Sequence, residues 1–337
     1  MKRRPTIHDV AARAGVSKST VSLVLQSSGQ VRAETAELVR HTMADMGYVY
    51  NRAAANLRSG AMGLVGLIIN DLRNPFFTEF AVKLQMTLAA RGYATVISNS
   101  AEDPALQAAL TASMIEHGVT AMVISPTYDN GSRTFDQIAQ AGLPTLQVLR
   151  QMDERLDLFP FSSFDYATGS ALAAKHLVDL GARRVAFVGG FEGRAITHER
   201  MSGYIEALNQ EGITPFTLHG RPSRAFGMTA ADTLLAQNPK IDAAICFNDL
   251  VAFGVMAGYA RAGRCIGSDL RLVGFDDIED CAQVWPQLSS VACDIAQFAQ
   301  DTAQRLCDWM IKGCRPAPVI RAPVSLVPRA SSTGVTL

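Results

Sequence analysis

TIHDVAARAGVSKSTVSLVLQ, residues 6–26, holds two short apolar-periodic helices separated by a four-residue turn that contains Gly15. That arrangement presents one small helix to the major groove of DNA, and few other uses need it. Thr6 stands at the N-cap position, with Asp9 three residues on as a variant of the capping box. Ile7, Val10, Ala11 and Ala14 follow at helical spacing as a buried stripe, and Gly15 ends the helix. Ser17 caps the second helix, whose Val21, Val24 and Leu25 face the first. Lys18, Ser19, Ser22 and Leu23 then point outward near the helix start, where a recognition helix needs its donors. Two readings fit Leu23: a partner for a thymine methyl group, or an ordinary exposed leucine.

The spacing predicts a third helix over 33–46, with Leu38, Val39, Thr42, Met43 and Met46 inward and Gly47 as stop signal. Three helices in about 50 residues make a small core, so a partner or DNA is expected to support it. The segment NRAAANLRSG, residues 51–60, is capped by Asn51 and favours helix at Ala53 to Ala55. About eight residues cannot hold a helix alone in water. Leu57 is therefore either a wedge for a minor-groove base step on a helix that forms only when docked, or part of a plain linker. Residues 1–60 contain nine Lys or Arg against four acids, a net of +5. The whole chain balances 31 against 31, which leaves −5 on the remainder. A basic head on an acidic body is the asymmetry expected when only the head meets phosphate.

At 337 residues the chain exceeds one ordinary core, and 48% hydrophobic with 18% charged residues describes a globular protein. No apolar run reaches the ~18 residues of a membrane span. The opening MKRRPTIHDV lacks the apolar core of a secretory signal. The six cysteines all lie in the last third, without CxxC or Cys/His metal spacing. They read as reduced, mostly buried small hydrophobes of a cytoplasmic protein.

From residue 62 strands and helices alternate. Strands are expected at 64–70, 93–99, 119–125 and 143–149, with helices 76–91, 104–117 and 132–141 between them. A second series runs through helix 166–180, strand 183–189, helix 195–211, strand 215–219, helix 226–237, strand 243–247, helix 249–263 and strand 270–275. A last helix, 294–312, and the tail 316–328 can return to either series. Near-continuous apolar strands with helical crossovers mean parallel sheets covered on both faces. The fold class expected is thus an all-α helix-turn-helix head plus an α/β body of two doubly wound lobes.

Two such lobes place the carboxyl ends of their strands around a shared cleft. Asn74-Pro75-Phe76-Phe77 follows the first strand, Gly190 to Arg194 and then Arg200 follow Gly189, and Asn248-Asp249 follows AAICF. Asp276 and Asp277 follow LVGF, with Trp285 nearby. Aromatic faces with a few carboxylates, amides and arginines suit the grip of a sugar or similar polyol. Other readings stay open: an interlobe ion pair for Arg200 and Asp276, core packing for Phe76, Phe77 and Trp285, and helix capping for Asp249.

These residues resemble the LacI/GalR family of bacterial transcription regulators. The head TIHDVAARAGVSKSTVSLVL, the hinge AAANLRSG and the body pieces NPFF (74–77), RMSGYIEAL with Arg200, FNDLVAFG (247–254) and GFDD (274–277) carry the likeness. Within the family, SKSTVSLVL looks nearest to a maltose-regulatory branch. The resemblance implies a homodimeric repressor on a near-palindromic operator, controlled by a small-molecule effector, sugar-like, in the interlobe cleft. It implies a periplasmic-binding-protein type I body with three crossovers. The domains expected are a helix-turn-helix at 1–50, a hinge at 51–61, an N-terminal lobe at 62–163 and 294–322, and a C-terminal lobe at 164–293 and 323–337. The DNA-facing set is Thr6, Ser17, Lys18, Ser19, Thr20, Ser22 and Leu23, with Asn51, Ala54, Leu57 and Arg58 in the hinge. The effector-facing set is Asn74, Phe76, Phe77, Asp165, Arg194, Arg200, Asn248, Asp276 and Trp285. Two departures stand out. Phe164-Asp165 replaces an acid followed by Asn just after the lobe crossing, which makes that wall more apolar. The tail SLVPRASSTGVTL contains Pro328 and no heptad, so a dimer is expected over a tetramer.

Other classes fit less well. A solute receptor on the same two lobes needs a signal peptide and has no use for residues 1–60. For an enzyme, no Walker loop, GxSxG, HExxH or full dinucleotide fingerprint is present, so a sugar-modifying activity would have to come from scattered acids such as Asp276 and Asp277. A ligand-independent DNA-binding protein is a further reading, excluded if any metabolite shifts operator affinity. No cofactor, catalytic residue, metal site or membrane partner is expected.

Overall fold

The computed structural model describes residues 5–25, 30–46, 63–128, 132–237 and 240–334. It divides into two compact units, Met1–Met62 and Gly63–Leu337. In the first, α1 (Ile7–Ala14), α2 (Lys18–Leu25) and α3 (Ala33–Asp45) pack Val10, Ala11, Ala14, Val21, Val24, Ala36 and Val39 into one core. Both halves of the capping box are made. Asp9 N donates to the Thr6 hydroxyl at 3.4 Å, and the Asp9 carboxylate accepts from Thr6 N at 2.8 Å. Gly15 takes a left-handed φ of 65°, which lets the chain turn directly into α2. One expectation fails here: Leu38 is 51% exposed. Ala36, Val39, Thr42 and Met43 define the inward line of α3, and Leu38 lies about 100° around the helix from Val39.

The second unit begins with β1 (Leu64–Ile69), α4 (Pro75–Ala90), β2 (Ala94–Asn99), α5 (Pro104–Glu116), β3 (Val119–Ile124), α6 (Ser132–Ala141), β4 (Thr145–Val148) and β5 (Phe161–Phe164). It continues through α7 (Tyr166–Asp179), β6 (Val185–Val188), α8 (Ala195–Gln210), β7 (Phe216–Leu218), α9 (Arg224–Leu235), β8 (Ala243–Cys246), α10 (Asp249–Arg261), β9 (Arg271–Asp276) and β10 (Ser289–Cys293). It closes with α11 (Ile295–Lys312), β11 (Val319–Ala322), β12 (Val324–Val327) and α12 (Ala330–Thr333). One sheet has the order β11-β5-β4-β3-β1-β2 and the other β12-β10-β9-β8-β6-β7. Every pairing is parallel except β10 with β12. The chain passes between sheets three times: from β5 into α7, from β10 into α11, and from β11 to β12. α11 returns to the first sheet, with Phe298 set 4.6 Å from Phe164 and 5.7 Å from Phe80, ring centre to ring centre.

β5, β10, β11 and β12 were absent from the sequence expectation, and the reason is chemical. β5 and β10 contain the buried serines Ser162, Ser163, Ser289 and Ser290, which break the apolar run. In β10 their cost is met by bonds to residues distant in sequence, with Ser289 Oγ donating to the Arg329 carbonyl at 2.8 Å and Ser290 Oγ to Asp249 at 2.6 Å. β11 is an edge strand that alternates exposed and half-buried residues, so it carries little apolar signal.

Gly227 on α9 and Gly254 on α10 face each other. A Cβ on Gly254 would stand 2.1 Å from the Arg224 carbonyl, and one on Gly227 2.1 Å from the Val251 carbonyl. Alanine would gain about 1 kcal/mol in helix propensity, but the obstruction is backbone and cannot rotate away. Gly254→Ala is therefore expected to lower the unfolding free energy by about 3 kcal/mol, read from the urea midpoint.

Candidate functional site

In the head, the Ser17 hydroxyl accepts from Thr20 N at 3.1 Å and also lies 2.8 Å from the Ser19 hydroxyl. Ser17 thus caps α2 and fixes its first turn. Lys18 and Ser19 are exposed, while Thr20, Ser22 and Leu23 are half-buried on the same helix. Thr6 is half-buried and engaged with Asp9. Asn51, Ala54, Leu57 and Arg58 lie outside the described residues.

In the body, both sheets reverse their strand order, between β1 and β3 and between β6 and β8. Ligands bind at such reversals in doubly wound sheets, beyond the carboxyl ends of the strands. A cavity occupies that place. Asn70, Asp71 and Tyr128 reach it from beyond β1 and β3, and Phe191, Phe247 and Asn248 from beyond β6 and β8. Asn74, Phe76, Phe77, Arg200 and Asp276 also line it. Asn74 caps α4 by accepting from Phe76 N at 3.2 Å, which turns Phe76 and Phe77 edge to face at 5.3 Å.

Arg200 is the best-buried cation on the cavity wall, at 4% exposure. It donates to the Phe247 carbonyl and, at 3.2 Å, to Asp276. Its guanidinium carbon stands 4.0 Å from the Phe275 ring centre, 4.5 Å from Tyr166 and 4.6 Å from Phe247. Burial works against this charge, but Asp276, together with Tyr166 and Cys293, more than offsets it and the pKa lies above the ordinary arginine value. The Arg200 Nε is buried without a hydrogen-bond acceptor in the protein.

Behind this pair sits Asp249, 1% exposed, which accepts from Ile278 N at 3.0 Å and from Ser290 Oγ at 2.6 Å. It is not the cap of α10. Asn248 fills that role by accepting from Val251 N at 3.1 Å, because the N-cap residue, one position earlier, is the one in extended backbone. Burial, and then the charge of Asp276, pushes the Asp249 carboxyl up to about 8. Burial also raises Asp276, to about 6, with Arg200 opposing the shift.

The first lobe supplies a second cation-carboxylate pair that the sequence analysis missed. Arg150, 9% exposed, donates to both oxygens of Glu102 at 2.9 and 3.0 Å, and its guanidinium lies 3.7 Å from the Tyr128 ring centre. Asn70 Nδ2 donates to the same carboxylate at 2.8 Å. Glu102, Arg150 and Tyr128 fall just past the ends of β2, β4 and β3, so reading every strand end would have found them. Glu102, Leu149 and Asp276 line the cavity with left-handed φ values of 63°, 67° and 111°. Each costs about 1–3 kcal/mol, strain of the kind that clusters at ligand sites.

Three expected residues stand elsewhere. Asp165 caps α7, accepting from Thr168 N at 3.1 Å and from its hydroxyl at 2.7 Å, which turns it away from the cavity. Trp285 is 76% exposed on the loop between β9 and β10 and does not line the cavity. Arg194 lines a neighbouring compartment and donates to the Tyr128 carbonyl at 2.7 Å. Among the described residues no cluster of His, Cys, Asp or Glu could hold a metal ion, and no helix is long and apolar enough to cross a membrane.

Two outcomes follow from this geometry. Asp276→Ala leaves Arg200 buried without its carboxylate and should cost about 3–5 kcal/mol in urea unfolding. Arg200→Met with Asp276→Leu should recover most of that loss. Asp249 holds a proton more tightly folded than unfolded. Its stabilising contribution is therefore full below the unfolded value of about 4 and declines as pH rises towards 8. Asp249→Asn should flatten the fall in unfolding free energy between pH 5 and 8, as measured by denaturation at each pH.

Residues 6–51 match the model of bacterial regulatory proteins of the lacI family, and residues 174–332 that of a periplasmic binding protein-like domain. The maltose regulon regulatory protein MalI of Escherichia coli is 32% identical over 268 residues, covering 79% of this chain and 78% of that protein. The ribose operon repressor of Halalkalibacterium halodurans is 26% identical, covering 98% and 97%. Among solved structures, the Lac repressor dimer bound to operator and the anti-inducer ONPF aligns with a TM-score of 0.85 at 26% identity, covering 98% of this chain and 99% of that one. A helix-turn-helix head, a two-lobed body and relatives that match along nearly the whole length converge, and the chain belongs to the LacI/GalR family of DNA-binding transcription regulators.

Proposed function

We propose that this chain is a repressor that binds a palindromic operator as a homodimer and is controlled by a small molecule, a sugar or sugar derivative, in the cleft between its lobes. The observation that carries this reading is the joining, in one chain, of an exposed polar first turn on α2 to a cleft built on two strand-order reversals. Lys18, Ser19 and Leu23 read base edges, Thr20 and Ser22 reach phosphate or neighbouring groups, and Thr6 and Ser17 set the ends of the two helices against the backbone. Residues 1–50 form the DNA-binding head and 51–61 the hinge, with Asn51, Ala54, Leu57 and Arg58 at the minor groove. Residues 62–163 and 294–322 make one lobe, and 164–293 and 323–337 the other. The protein acts in the bacterial cytoplasm, where the DNA is.

In the cleft, Phe76 and Phe77 offer ring faces and edges, Arg200, Asn248 and Asp276 offer donors and acceptors, and Asn74 orients the aromatic pair. The maltose and ribose regulators among the relatives favour a sugar. The homodimer is favoured by the structural likeness to the Lac repressor dimer. It is also favoured by apolar side chains left in water: Val82 and Met86, one turn apart on α4, and Val96 on the edge strand β2 are 49%, 65% and 38% exposed. A ligand that binds one arrangement of the lobes better than another shifts the population of the DNA-binding form by that difference in affinity.

Selection of duplexes from a random pool, followed by anisotropy titration, tests the reading. Dyad-symmetric sites should emerge. Lys18→Ala and Leu57→Ala should each weaken operator binding about tenfold or more while leaving ligand affinity unchanged in calorimetry. Equal operator affinity for both variants and the parent would refute the assignment.

A further inference from the structure

β9 ends in a strained turn. Asp276 and Asp277, neither of them glycine, take φ values of 111° and 56°, a conformation that persists only where its surroundings fix it. Both amide groups that follow Asp276 are held, directly or through one hydroxyl, by Asp249. Ile278 N donates to Asp249 Oδ2 at 3.0 Å. Asp277 N donates to Ser290 Oγ at 3.2 Å, and Ser290 Oγ donates on to Asp249 Oδ1 at 2.6 Å. The strand runs so close to this carboxyl that a Cβ on Gly274 would stand 2.1 Å from Asp249 Oδ1. On the far side, Arg329 donates to the Asp277 carboxylate and to the Leu288 carbonyl, each at 2.6 Å. Between these anchors Asp276 is left to line the cavity and meet Arg200 at 3.2 Å.

The donors to Asp249 are the Ile278 amide, the Ser290 hydroxyl and the Cys281 thiol, all of them neutral. Cys246 on β8, Cys281 on the 3-10 turn Glu279–Ala282 and Cys293 on β10 surround it. Burial lifts each thiol well above its ordinary range, so all three keep their protons. The charges nearby are Asp276 and Asp277 at the end of β9, Arg200 on α8 and Arg329 ahead of α12, and Arg329 is engaged by Asp277. Two buried carboxyl groups, Asp249 and Asp276, thus share one cation, Arg200. Like charges in a dry site are not both carried cheaply. With Asp276 ionised and paired, Asp249 is neutral; once Asp249 ionises, it repels the carboxylate whose turn it holds.

We propose that protonated Asp249 is the positioning residue of the cleft, holding the Asp276 carboxylate against Arg200, and that loss of its proton loosens that pair. The inference rests on reading the cleft as the ligand site. The polar grip of that site is then intact while Asp249 carries its proton and weakened once it does not, so ligand affinity falls with rising pH through a group that lies behind the wall.

The test follows the full chain by NMR, with isotope-labelled arginine and isoleucine, between about pH 6 and 9. The Arg200 Nε signal is identified by its loss in Arg200→Lys, and the Ile278 amide by its loss in Ile278→Val. In the parent both should move together with a midpoint of about 8. Asp249→Asn keeps an acceptor for Ile278 N but has no proton to lose, so both signals should stay level. Ser290→Ala removes a hydrogen bond that favours the ionised carboxylate, so its step should move to higher pH. That variant keeps the test decisive should the asparagine one fail to fold. A brace acting by shape alone would give no step in any of them. The proposal is overturned if either signal stays level in the parent, if Asp249→Asn shows the parent's step, or if the midpoint does not rise in Ser290→Ala. Operator titration of the same preparation separates the two ideas. Its failure sinks the regulatory reading and leaves the step standing, whereas operator binding without the step sinks only this inference.

Discussion

Two parallel sheets aim the carboxyl ends of their strands at one gap, and the rest of the body is arranged around that constraint. At the gap the strand-order reversals leave no neighbouring loop to cover the chain, so side chains and turns close it. Several do so in costly forms. Glu102, Leu149 and Asp276 hold left-handed backbone, and Arg200 is buried with one guanidinium nitrogen lacking an acceptor. Stability alone would not select these features, since each costs a kilocalorie or more. Their convergence on a single cavity is what gives the cleft its character.

Charge is handled differently on the two sides. In the second lobe Arg200 and Asp276 pair at 3.2 Å among aromatic rings, with Asp249 behind them held by backbone and serine donors. In the first lobe Arg150 lies over Tyr128 and chelates Glu102, which Asn70 also supports. The two pairs belong to different sheets, so the polar equipment of the cleft is divided between bodies that three chain crossings connect. Contacts that span the gap, Arg194 to the Tyr128 carbonyl and Arg321 to Glu199, couple the compartment walls to the spacing of the lobes. These contacts tie the two sheets together across the gap.

Much of this was legible from residue order. Thr6, Asp9, Gly15 and Ser17 place the two head helices because capping and left-handed turns depend on neighbours within four residues. The alternation of apolar strands with helices gives parallel sheets for the same local reason, and strand ends then point to Asn74, Arg200, Asn248 and Asp276. Leu38 failed because one apolar residue beside a correct stripe cannot be told from the stripe by type alone. Asp165 failed because an aspartate before a helix serves equally as a cap or as a ligand, and Trp285 because a loop's direction is set by what it packs on.

The sequence by itself determined the helix-turn-helix, the doubly wound character of the body and the basic head, since each follows from spacing, capping and composition along the chain. The tertiary structure alone decided that serine-rich β5 and β10 are strands, that Glu102, Tyr128 and Arg150 meet at the cleft, and that Arg321 faces Glu199 across 122 positions. Those outcomes depend on which edges pair and which strand ends converge. Such pairings are fixed by long-range burial and hydrogen bonding, which leave no periodic trace in the order of residues.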